Sequence, residues 1–261
     1  MKLKRHATIA LILFLAVGAG SAFGQGRFRN IVSAKFRYYT DERFGLEWEE
    51  VFIAPLPKGF YLVAAASGTN TSVSDVTGGR LGLAFDLPGA FYGEGSYELE
   101  YDWQKDELEH TALVSCTYES GSAMASLSLS GEFTPSSAGG VLSPALSYAL
   151  NPNLTLSTTL FLAFHHYSTS ESFFNIAALA TGEYGLGSQI FLSLGGTFGT
   201  VYEPEEQYAK WSVLGGVKVV PSDILTVKTL IEYENESASP VNPHDIISAL
   251  LVVDIKFRRT Q

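Results

Sequence analysis

From Gln25 onward the chain alternates apolar and polar residues with a period of two, in runs of about 9 to 15 residues broken by clusters of Gly, Pro, Asn, Asp and Ser. The clearest run is Ser122 to Phe133, where Ala123, Ala125, Leu127, Leu129 and Phe133 point one way and Ser122, Ser126, Ser128, Ser130 and Glu132 the other. A helix would mix these two sets on its faces, whereas a strand keeps them apart. The pattern recurs with Leu154, Leu156, Leu160, Leu162 and Phe164 against Thr155, Ser157 and Thr159, and with Trp211, Val213, Val217 and Val219 against Lys210, Ser212 and Lys218. It recurs again with Leu225, Val227, Ile231 and Tyr233 against Thr226, Lys228, Glu232 and Glu234. Such runs predict about fourteen strands, each with one apolar and one polar face, and twelve if the short connection at Thr40 to Arg43 does not close a first hairpin.

The connections alternate as well. Tight ones are predicted at Pro55 to Gly59, Pro88-Gly89, Glu119 to Gly121, Asn151 to Asn153, Gly185 to Gly187 and Pro221 to Asp223. Looser ones are predicted at Ser67 to Gly78, Gln104 to Leu108, Pro135 to Gly139, Tyr167 to Glu171, Glu203 to Gln207 and Asn235 to Pro243. Tight turns at one rim and looser loops at the other are the signature of an up-and-down barrel spanning a membrane. A soluble sandwich of that many strands would need a second domain and a linker, and no linker is visible. The fold class predicted is therefore all-β, a closed antiparallel transmembrane β-barrel, which leaves no edge strand open.

The first 24 residues have a different pattern: basic Lys2, Lys4 and Arg5, an apolar run from Ala7 to Val17, then small Ala22 and Gly24 ahead of Gln25. This is the layout of a secretory signal peptide, so residues 1–24 are assigned as leader and 25–261 as the barrel domain. The single cysteine, Cys116, lies far from the cleavage point, so neither a lipid anchor nor a disulfide is expected. The formal charge of −10 becomes −13 once the three basic leader residues are removed, which argues against nucleic acid as a partner.

The last run puts Ile247, Ala249, Leu251, Val253, Ile255 and Phe257 on one face and resembles the C-terminal strand signal of bacterial outer-membrane barrels, although Arg258 to Gln261 follow the aromatic. The resemblance implies insertion machinery as a partner, the outer membrane of a Gram-negative-type bacterium as the location, and both termini in the periplasm. Tyr38, Trp48, Trp103, Tyr118, Phe164, Tyr184, Tyr202, Trp211 and Tyr233 fall where interfacial aromatic girdles are expected.

Strand parity sends the charged residues to the interior. Arg27, Arg29, Lys35 and Arg37 on the first strand, with Lys210, Lys218, Lys228 and Lys256 on the last three, predict a basic wall once the barrel closes. Glu47, Glu49, Glu94, Glu98, Glu100, Asp102, Glu119 and Glu132 predict an acidic wall partly across from it. This resembles general porins in architecture, and the resemblance implies a passive pore, here for small polar or cationic solutes selected by opposed charge rows. The small inward residues Ser115, Thr117, Ser126, Ser128, Ser143, Ala145, Ser147, Ser193, Gly195 and Gly199 favour an unfilled lumen. The alternative is a non-conducting structural or surface-interaction barrel plugged by its own ion pairs. Expected partners are membrane lipid and small solutes or ions, with the chain a monomer or homo-oligomer.

An enzymatic alternative rests on His166-Tyr167-Ser168. Parity puts His166 and Ser168 on the lipid-facing side, and the arrangement resembles outer-membrane phospholipase A and lipid A 3-O-deacylase, which implies histidine as base and serine as nucleophile in a lipid hydrolase. Thr169 departs from the Asn that follows the serine in those families, and the available third groups Asn175 and Glu183 have inward parity. His244-Asp245 with Asp102 and Asp106 is a loose match to omptin-like proteases. The histidines His110, His165, His166 and His244 lack ligand spacing, and neither a metal nor a cofactor is expected.

Overall fold

The computed structural model describes residues 28–40, 43–71, 75–167, 172–203, 206–235 and 245–257. Fourteen strands form one closed antiparallel barrel: β1 (Phe28–Tyr39), β2 (Phe44–Pro55), β3 (Phe60–Asn70), β4 (Asp75–Leu87), β5 (Phe91–Asp102), β6 (Glu107–Ser120), β7 (Ala123–Phe133), β8 (Ser137–Asn151), β9 (Leu154–Tyr167), β10 (Ser172–Gly185), β11 (Ile190–Glu203), β12 (Glu206–Ser222), β13 (Leu225–Asn235) and β14 (Asp245–Phe257). Each strand pairs with its sequence neighbours, and β1 closes on β14 with Phe28 opposite Phe257 and Tyr39 opposite Ile246. The short connection at Thr40 to Arg43 does close a hairpin, so the fourteen-strand reading holds over twelve.

The six tight turns lie where the sequence puts them. At β4–β5 the turn needs two left-handed residues, Gly89 (φ 79) and Ala90 (φ 69), and the absence of a Cβ makes the first of these free of strain. The opposite rim differs from expectation: β3 runs to Asn70 and β4 starts at Asp75, so Ser67 to Gly78 is mostly paired strand, not a loop long enough to fold inward. Polar residues in a strand that faces a wet interior carry no turn signal, which is why the pairing there is longer than the alternation suggests. The connections expected at Pro135 to Gly139 and Glu203 to Gln207 shrink for the same reason. Residues 236–244, the other long candidate, lie outside the described residues, as does the leader.

The two faces invert those of a soluble protein. The outward face carries the large apolar side chains, among them Phe36, Leu81, Val114, Leu129, Leu194, Phe198 and Ile231, all exposed. Burial of such side chains needs hydrocarbon outside the barrel, since water there would face an apolar belt far larger than a soluble monomer shows. Trp48 is a correction to the girdle: it sits mid-strand opposite Ala34, while Tyr38, Tyr118, Phe164, Tyr184 and Tyr233 occupy positions nearer strand ends. No helix is long and apolar enough to cross a membrane among the described residues.

Candidate functional site: the barrel interior

Register fixes which residues share the interior. Lys35 opposite Glu47, Ser33 opposite Glu49, Arg80 opposite Glu98 and Gly78 opposite Glu100 all face inward, as do Glu94, Asp102, Lys210, Lys218 and Lys228. The small set Ser115, Thr117, Ser126, Ser128, Ser143, Ala145, Ser147, Ser193, Gly195 and Gly199 is also inward.

The charges do not sort into a basic wall facing an acidic one. The Arg29 guanidinium donates twice to Asp254 on β14, at 2.9 and 2.8 Å. Lys35 Nζ lies 3.2 Å from Glu232, Arg37 2.9 Å from Glu47, Arg80 3.1 Å from Glu49 and Lys210 2.9 Å from Glu234. Lys218 pairs with Glu183 and places its ammonium over the Phe191 ring at 4.2 Å. The predicted basic wall is thus interleaved with Asp254, Glu232 and Glu234, because the period of two that points lysines inward points the acids of β13 and β14 inward too. Glu232 is a node, also accepting a 2.7 Å hydrogen bond from the buried Ser212 hydroxyl.

These pairs run along the wall, joining strands that are adjacent or one apart, and none spans the lumen among the described residues. Backbone packing likewise joins neighbouring strands.

The uncompensated charge is acidic. Lys105, in the β5–β6 turn, is the one lysine or arginine between Phe91 and Glu203. Over that stretch Glu94, Glu98 and Glu100 on β5 stand beside Glu109 on β6 and Glu132 on β7, with Glu100 directly opposite Glu109. Glu109 carries no flag in the sequence beyond its parity, and it completes the group. Toward the loop rim Glu100, Asp102, Glu107, Glu109, Ser137 and Tyr167 line a polar cleft of about 380 Å³. At that rim the Asp102 carboxylate accepts from the backbone N–H of Gln104 and Lys105. From β7 to β11 the wall turns hydroxyl-rich, with Ser126, Ser128, Ser130, Ser147, Ser157, Thr181 and Thr197 inward beside the acids Glu132 and Glu183. At the tight-turn end of β1–β5 it turns apolar, where Val51, Val63, Ala65 and Ala84 pack with Ile31, Ile53, Tyr61 and Tyr92.

The catalytic alternative falls partly outside the described residues. Ser168 lies outside the described residues, and His166 Nδ1 meets the Ser172 hydroxyl at 2.9 Å on the outward face. Asn175 and Glu183 face inward, opposite Ala163 and Thr155, away from that pair. Asp245 is bound by Tyr233 and Asn235, and β1 to β4 separate its strand from that of Asp102. Among the described residues no group of three His, Cys, Asp or Glu is placed to hold a metal.

No protein-family model and no curated protein sequence matches the chain. Solved structures do resemble it, at low identity. The TodX monoaromatic hydrocarbon channel, in a deletion-mutant form, aligns with TM-score 0.62 and 8% identity over 92% of this chain and 92% of its own. An outer-membrane channel from Pseudomonas putida F1 aligns with TM-score 0.60 and 10% identity over 90% and 97%. An anion-selective porin from Comamonas acidovorans aligns with TM-score 0.54 and 9% identity over 89% and 99%. The fold is that of outer-membrane β-barrel channels and porins.

Proposed function

We propose that the chain is exported behind its 1–24 leader, inserts in a Gram-negative-type outer membrane with its tight turns and termini in the periplasm, and acts as a passive, cation-preferring pore for small polar solutes. The observation that carries this reading is the disposition of the interior charges: among the described residues the ion pairs run along the wall and none crosses the lumen, while Glu94, Glu98, Glu100, Glu109 and Glu132 form an acid-rich stretch whose cross-strand base, Arg80 opposite Glu98, is itself paired with Glu49. Such a lumen lowers the energy of a hydrated cation relative to an anion at the same place. In a plugged barrel, by contrast, paired side chains meet across the interior.

A second reading is favoured by the apolar inward patch of Ile31, Val51, Ile53 and Val63 with Tyr61 and Tyr92, since one similar structure is a monoaromatic hydrocarbon channel and another a toluene transporter from Ralstonia pickettii. In that reading the solute carries an apolar portion that slides on this patch. Swelling of proteoliposomes separates the two: the polar-pore reading predicts rapid influx of small sugars and of lysine over glutamate, and the second predicts influx of small aromatics with sugars excluded. Vesicles that swell with none of them would overturn both.

A further inference from the structure

The outward face breaks its own rule at one place. Among the described residues Glu50 is the one Asp, Glu, Lys or Arg that faces outward away from a strand end; Asp75 and Asp245 face outward only as the first residues of β4 and β14. Glu50 stands opposite Val32, midway along β2, between outward Trp48 and Phe52. Asn30, opposite Phe52 on the same face, donates its amide to Glu50 at 2.8 Å. The Asn30 carbonyl oxygen is shielded from solvent and has no hydrogen-bond partner.

The surroundings of this pair are apolar and flat. Phe28 and Phe52 stack at 5.9 Å. Beyond Glu50 the outward residues of β3 are Ala64, Ala66 and Gly68, opposite Phe52, Glu50 and Trp48. Gly68 is required there, because a Cβ would fall 2.5 Å from the Trp48 Nε1; its absence lets the indole lie down on the sheet. The result is a low surface with a carboxyl and an amide at its centre, in the band where the other strands offer no charged side chain to lipid among the described residues.

Hydrocarbon supplies no hydrogen-bond partners, so a carboxyl and a half-satisfied amide at that depth call for a protein surface that does. We infer that the outward face of β1–β3 is a contact between copies of this chain, with Asn30 and Glu50 at its centre. Two copies in one membrane related by a twofold axis along its normal bring identical residues together at identical depth. An amide beside a carboxyl is self-complementary under that operation: Asn30 keeps a second N–H to donate to the neighbour, and Glu50 keeps a second oxygen to accept one. The small residues of β3 permit the close approach that such hydrogen bonds need.

The test uses the full barrel reconstituted in phospholipid vesicles, with Cys116 replaced by serine. Ala34→Cys, outward beside the pair, is expected to cross-link copies to each other, and Leu127→Cys, outward on β7 across the barrel, is not. Mass measured in nanodiscs should exceed that of one chain and fall to it in N30L/E50L, while E50Q, which keeps the hydrogen bonds, stays associated. A single-chain mass for the parent protein, equal cross-linking from both cysteines, or association that survives N30L/E50L would overturn the inference. The cross-link comparison stands even if N30L/E50L does not insert.

Discussion

Replacing Glu98, Glu100 and Glu109 with glutamine should weaken the cation preference of the pore by a predictable amount. The three stand together on β5 and β6, with Glu100 directly across from Glu109. Each substitution keeps size and hydrogen bonding and removes one negative charge. For a monovalent ion about 8 Å from such a carboxylate, Coulomb's law in water gives ~0.5 kcal/mol. Screening at 0.15 M salt, where the Debye length is about the same distance, lowers this to ~0.2 kcal/mol. A cation is helped and an anion hindered by that amount, so each carboxylate changes the cation-to-anion permeability ratio about twofold. Three together should change it roughly five- to tenfold, and more at low salt as the Debye length grows. The assay is the reversal potential of the triple variant across a salt gradient, measured at two ionic strengths. A ratio that stays within experimental error of the parent, or a shift that does not grow as salt is lowered, would refute the assignment of this wall to the ion path.

Other expectations concern the wall itself. Glu232→Ala leaves Lys35 and the Ser212 hydroxyl without their shared acceptor, and should cost about 1–3 kcal/mol in equilibrium unfolding followed by tryptophan fluorescence, with E232Q losing less; a loss below ~0.5 kcal/mol would contradict the node. Gly216→Val should cut folding yield, read as the fraction with heat-modifiable gel mobility, because a Cβ there falls 2.1 Å from the Thr229 carbonyl oxygen, whereas Gly187→Ala, in open space, should fold like the parent.

The fold was legible because one physical rule, apolar toward lipid and polar toward water, writes itself into every second residue. Runs such as Ala123 to Phe133 and the turn residues around Gly89 and Gly121 were enough to order the strands. Rim lengths were less legible: Ser67, Thr69 and Thr77 are as suited to a wet strand end as to a loop, and only pairing partners distinguish the two. The interior was half legible. Parity gives the face of Lys35 or Glu232 but not its neighbour in space, so the bases read as one wall although Asp254, Glu232 and Glu234 stand between them. Glu50 was hidden for the opposite reason. In the run Trp48-Glu49-Glu50-Val51 the parity that sends Glu49 inward also sends Glu50 outward, but two adjacent acids read as one polar patch until the register sets Glu50 opposite Val32 on the apolar face.

The most direct test of the pore is single-channel conductance of the refolded, leader-free protein in a planar bilayer under a salt gradient. The account predicts stable steps with a reversal potential of the sign set by cation preference. Silence from correctly folded protein, or steps that favour anions, would contradict it.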